Sequence, residues 1–129
     1  MTITDVGRKY GLSQDTLRYY ERVGLIPFVN RKSGIRNYTE EDCRWIEFAK
    51  CMRNAGIPVE TLIKYVTLFQ QGDATAPARK QLLIEQRNLM IQKKEELEKT
   101  IERLNMKIER YEQTVVLAEK DLKRTEINF

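Results

Sequence analysis

Apolar positions recur along this chain in helical registers broken by polar and glycine-containing joints. Ile3 and Val6, with Tyr10 one turn on, form a first short stripe, and Leu17 with Tyr20 forms a second. Trp45, Phe48, Ala49, Met52 and Ala55 fall within an arc of about 120°, which predicts the buried face of a third helix. Leu62, Tyr65, Val66 and Phe69 give a fourth. Far downstream, Leu97, Ile101, Leu104, Ile108, Tyr111 and Val115 are separated by alternating steps of four and three, a heptad seam. Between the second and third stripes, Phe28 to Tyr38 reads instead as two short strands around a Lys32-Ser33-Gly34 turn.

The joints fit these elements. Thr2 with Asp5 and Thr39 with Asp42 are spaced as capping boxes, and Ser13 is an N-cap. Gly11, Gly24 and Gly56 stand where helices should end, and Pro58 opens the fourth. Only Gly11 and Leu12 separate the first helix from the cap of the second, the spacing of a helix-turn-helix. Gly72-Asp73 closes this head, which at about 70 residues can bury a modest core. Pro77 to Arg124 then reads as one long polar helix of good helix formers. Such a helix cannot bury its own stripe, so Leu97 to Val115 predicts dimerisation through a coiled coil rather than folding back on its own head. The expected organisation is residues 1–72 as a DNA-binding head and 73–129 as a dimerisation helix and tail.

Charge sharpens this picture. Residues 1–38 hold seven basic residues (Arg8, Lys9, Arg18, Arg22, Arg31, Lys32 and Arg36) against Asp5, Asp15 and Glu21, so this end carries the whole net charge of +4. On the second helix, Gln14, Arg18 and Arg22 share a face with Tyr19 beside them, opposite Leu17 and Tyr20. That face reads as either a solvated charged surface or a contact for DNA, and the basic tip of the ribbon favours DNA. No apolar run is long enough for a membrane span, so a cytoplasmic protein is expected.

The candidate chemistry is narrow. With no His, and only Cys43 and Cys51, there is no metal-ligand set, no cofactor is expected, and nothing suggests an enzyme. Eight residues on one helix hold the two thiols about 12 Å apart, beyond disulfide reach. Cys51 should sit at the edge of the buried arc, half exposed, two turns from Arg44, either as a small packing residue or as a reactive thiol. Cys43 lies near its helix N-terminus, where the dipole and the flanking Glu40, Glu41 and Asp42 act in opposite directions on its thiol.

Three stretches carry a resemblance: TLRYYERVGLI at 16–26, SGIRNYTEEDCRWIEF at 33–48 and MRNAGIPVETL at 52–62. Together with the order of elements, they resemble the MerR family of bacterial transcription regulators. The resemblance implies a mainly α fold, with a winged helix-turn-helix head, a small two-stranded wing and a long C-terminal helix forming an antiparallel coiled coil in a homodimer. It implies contact with promoter DNA through Arg18, Tyr19, Arg36 and Tyr38. The full expected contact set is Ser13, Gln14, Thr16, Arg18, Tyr19, Arg22, Lys32, Arg36 and Tyr38. It also implies bending and untwisting of a promoter so that RNA polymerase engages both of its elements. The stretch AKCMRNAGIP around Cys51 resembles the aldehyde- and electrophile-responsive, AdhR-like branch, which implies Cys51 as the sensor. A metal- or oxidant-sensing regulator of the same fold and a coiled-coil adaptor that binds protein are the alternatives.

Overall fold

The computed structural model describes residues 1–111, 113 and 116–127, with side chains described as far as residue 122. Helix α1 spans Ile3–Tyr10 and α2 spans Gln14–Val23. Both capping boxes form: Thr2 Oγ1 accepts from the Asp5 amide at 3.2 Å, and Thr39 Oγ1 from the Asp42 amide at 3.2 Å. Gly11 ends α1 at φ 65°, in the left-handed region, so the chain reverses within two residues. That reversal also presses on Gly7, where a Cβ would lie 2.7 Å from the backbone oxygen of Leu12. Gly24 ends α2 at φ 86°, and the amides of Leu25 and Ile26 both donate to Tyr20 O.

The wing is an antiparallel pair, β1 (Arg31–Lys32) and β2 (Ile35–Arg36), with Arg31 opposite Arg36. Its strands are shorter than the 28–38 pattern predicts: just beyond them the Asn37 amide still donates to Asn30 O at 2.8 Å, but the next backbone groups bond elsewhere. The Val29 amide donates to the Glu21 carboxylate, and the Tyr38 amide to Met1 O at 2.8 Å. Helix α3 runs Glu40–Asn54 and α4 runs Val59–Gln70. Val6, Leu17, Leu25, Ile26, Val29 and Ile46 are the largest fully enclosed side chains, so the core collects residues from α1, α2, the segment before the wing, and α3.

The face of α3 corrects the helical-wheel expectation. Cys43, Ile46 and Ala49 are buried, Trp45, Phe48 and Met52 are half-buried, and Ala55 is exposed. A single arc fails because α3 serves two neighbours. One edge enters the core, while Trp45 and Phe48 meet the α4 rings, with centroids 4.9 Å apart for Trp45–Phe69 and 5.5 Å for Phe48–Tyr65. On α4 the buried residues are accordingly Leu62 and Val66, while Tyr65 is half-buried and Phe69 is exposed.

Chain contacts divide the protein into two compact units, Met1–Ile84 and Glu85–Phe129. A short 3-10 turn at Asp73–Thr75 leads into α5 (Ala76–Arg110), and α6 spans Val116–Ile127. Helix α5 contains no buried residue; Leu97, Ile101, Leu104 and Ile108 are 54–66% exposed, and Tyr111 just beyond it is 44% exposed. Val115, the last position of the heptad seam, lies outside the described residues. No helix among the described residues is long and apolar enough to cross a membrane.

Candidate nucleic-acid interface

Helix α2 presents its polar side from a fixed start. Ser13 Oγ accepts from the Thr16 amide at 3.0 Å and lies 2.8 Å from Thr16 Oγ1, so the two hydroxyls form one small cap. Gln14 links the two helices of the motif, donating from Nε2 to Thr4 Oγ1 at 3.1 Å. Its Oε1 accepts from Arg18 Nη2 at 3.3 Å, while Arg18 Nη1 pairs with Asp15 at 3.2 Å. Arg18 is thereby held along its own helix with its guanidinium still accessible. One turn on, Arg22 lies over the Tyr19 ring, 5.6 Å from its centroid, and both residues are exposed. Leu17 and Tyr20, on the opposite side, are buried, so packing orients this polar face outward.

The wing is tied to α2 by an acid that periodicity does not flag. Glu21 has a side chain only 8% exposed. Its Oε2 accepts from the Val29 amide at 2.6 Å and Arg31 Nη1 at 3.0 Å; its Oε1 accepts from Arg31 Nη2 at 3.1 Å and Arg36 Nε at 2.8 Å. Burial pushes the Glu21 carboxyl upward, but the bonds from Arg31, Val29 and Arg36 together outweigh it and hold it below the ordinary carboxylate value. Arg31 also donates to Val29 O and stacks on Phe28. The available signal was a lone acid within R-Y-Y-E, facing a basic ribbon ten to fifteen residues away.

The expected contact residues therefore separate. Ser13, Gln14, Arg18, Tyr19, Arg22 and Lys32 are exposed, Thr16 is half-buried against Ser13, and Arg36 is half-buried against Glu21. Tyr38 corrects the expectation of a surface contact. It is 2% exposed, and its hydroxyl is enclosed without a hydrogen-bond partner among the described residues. Burial raises its pKa. The side chain is a core residue beneath the wing.

The thiols also separate. Cys51 is exposed on α3, more open than its expected place at the edge of the buried arc. Cys43 is 3% exposed beside Tyr10, whose hydroxyl is shifted upward by burial and then by the neighbouring thiol. Among the described residues, no group of three or more His, Cys, Asp or Glu is arranged to hold a metal ion.

Comparisons with known proteins agree with this architecture. The family described as "MerR HTH family regulatory protein" matches residues 1–68. The HTH-type transcriptional regulator AdhR of Bacillus subtilis is 59% identical over 93 residues, which cover 71% of this chain and 66% of that protein, just under two thirds of its length. A putative MerR family transcriptional regulator from Listeria monocytogenes superposes with a TM-score of 0.86 at 40% identity, covering 99% of this chain and 98% of that one. HiNmlR, a MerR family regulator lacking the sensor domain and solved bound to promoter DNA, gives a TM-score of 0.79 at 28% identity over 91% of this chain and 94% of its own.

Proposed function

The chain belongs to the MerR helix-turn-helix family of regulatory proteins, and from that premise we propose that it is a DNA-binding transcriptional regulator acting as a homodimer. The observation that carries this reading is the outward face of α2. Gln14, Arg18, Tyr19 and Arg22 supply hydrogen-bond donors and a stacking surface at the second helix of a helix-turn-helix, the element that enters the major groove in such motifs. Lys32 and Arg36 on the wing supply positive charge for the phosphate backbone.

The exposed seam on α5 supports pairing. Leu97, Ile101, Leu104 and Ile108 would be covered by the same seam of a second copy, in an antiparallel coiled coil continued by Tyr111 and Val115. Residues 1–72 then grip DNA, and residues 73–129 set the distance between two grips. With two half-sites held at a fixed separation, the protein offsets the cost of bending and untwisting the duplex between them, which brings the promoter elements into register for RNA polymerase.

The switch is assigned to Cys51, supported by its exposure against the burial of Cys43 and by the similarity to AdhR. Its thiolate adds to the carbonyl carbon of an aldehyde: an S–C bond forms, the C=O π bond opens, and the oxygen takes a proton.

In vitro selection from a random-sequence duplex pool tests the DNA reading. The expected product is an inverted repeat whose binding weakens steeply with salt; failure to enrich any sequence would refute it. For the switch, methylglyoxal is expected to add mass at Cys51 of the wild type and to alter the mobility of its complexes with circularly permuted duplexes. Cys51→Ser should lose both effects. Identical behaviour of the two proteins would remove Cys51 from the mechanism.

A further inference from the structure

The register of the wing sets two arginines against each other. Arg31 and Arg36 are direct cross-strand partners, and like charges in that position repel. Glu21, inserted from α2, accepts from both and offsets the repulsion. The two arginines are not used alike. Arg31 turns the fork of its guanidinium onto Glu21, donating from Nη1 and Nη2, and Nη1 also donates to Val29 O. Its end-on edge, the pair Nη1 and Nη2, is therefore occupied, which leaves Nε the one guanidinium nitrogen of Arg31 without a protein partner among the described residues. Arg36 spends only its Nε on Glu21, and among the described residues its Nη1 and Nη2 have no protein partner. A guanidinium held at Nε with both terminal amines free is oriented but still able to bind an anion.

We propose that Glu21 is the positioning residue of the wing: it makes Arg31 a strut withheld from the DNA backbone and aims the free terminal amines of Arg36 at a phosphate. This rests on the DNA-binding reading above and adds to it a division of labour between two residues that the charge pattern treats as equivalent. It further makes Glu21 a source of specificity. A mobile wing with two released arginines would bind any polyanion, whereas the clamped wing offers one directed contact.

The test uses the full chain and a duplex selected by the wild type from a random pool, with a random-sequence duplex of equal length for comparison. Binding constants are measured against salt for wild type, Arg36→Ala, Arg31→Ala and Glu21→Gln. Each phosphate contact contributes about 0.9 to the slope of log K against log salt. On that basis Arg36→Ala should flatten the slope by about 1 per wing engaged, whereas Arg31→Ala should weaken binding at every salt concentration without changing the slope. Glu21→Gln keeps the size of the side chain but replaces one acceptor oxygen by a donor. It should bind the random duplex more tightly and with a steeper slope, and its preference for the selected duplex should fall about tenfold or more.

Equal flattening by Arg31→Ala and Arg36→Ala, flattening by neither, or an unchanged preference in a folded Glu21→Gln would overturn the assignment. If Glu21→Gln melts at the assay temperature by circular dichroism, the two arginine slopes decide alone. A wild-type chain that enriches no duplex would overturn the DNA-binding reading and this assignment with it. Enrichment followed by equal arginine slopes would overturn this assignment alone.

Discussion

Glutamate in place of Ile101 and Ile108 is expected to leave the chain monomeric and to reduce its affinity for an inverted-repeat duplex to that of a single head. The two side chains are 54% and 66% exposed on α5, so none of the described residues encloses them. Fully burying an isoleucine contributes about 1.5–3 kcal/mol; with somewhat over half of each side chain still to be covered, and each substitution acting twice in a symmetric pair, the loss is roughly 4–7 kcal/mol before the cost of burying charge. By the relation of about 1.4 kcal/mol per tenfold, the dimer dissociation constant should rise by about three orders of magnitude or more. Sedimentation velocity at micromolar protein would read the change. Lys99→Glu, two residues from the seam on either side, is the matched control and should remain dimeric. A dimer persisting in the doubly substituted chain would place the interface elsewhere.

Arg18→Ala is expected to abolish preference for the selected duplex while leaving much of the binding to random sequence intact. Arg18 is anchored by Gln14 and Asp15 on its own helix, which limits the rotamer freedom lost on binding, yet its side chain is 44% exposed. A bidentate arginine–guanine contact is worth about 1–3 kcal/mol of discrimination, and a dimer forfeits it at both half-sites, so the loss should be about 30-fold or greater. Arg18→Lys should not restore the preference, because an ammonium cannot reproduce the planar fork. Gel mobility shift on both duplexes checks this. An equal loss on the two would make Arg18 a phosphate contact, and no loss on either would remove it from the interface.

Much of the head was legible because its signals are local. The Thr2–Asp5 and Thr39–Asp42 boxes, the Ser13 cap and the left-handed Gly11 and Gly24 each involve groups a few residues apart, and each forms as expected. Three features were not legible, for related reasons. The buried face of α3 was misjudged because a helical wheel supposes one buried side, whereas α3 packs toward the core through Ile46 and toward α4 through Trp45. The Glu21 clamp joins residues ten to fifteen positions apart across two kinds of element, so no period reveals it. Tyr38 follows from the same packing: Glu21 and Met1 draw the base of the wing inward, and the tyrosine goes with it.

The clamp also alters the meaning of the basic wing. Counted along the chain, Arg31, Lys32 and Arg36 are three positive charges, but one buried carboxylate lies between two of them. The field that meets DNA is smaller and more directed than the residue count suggests, which suits readout of a defined site better than general attraction to a polyanion.

The most direct measurement of the central claim is the mass of the complex formed by the wild-type chain on the duplex it selects, determined by sedimentation equilibrium at low salt. Two chains on one duplex bearing two inverted half-sites is the predicted result. A single chain bound to a single half-site, or no complex at all, would contradict it.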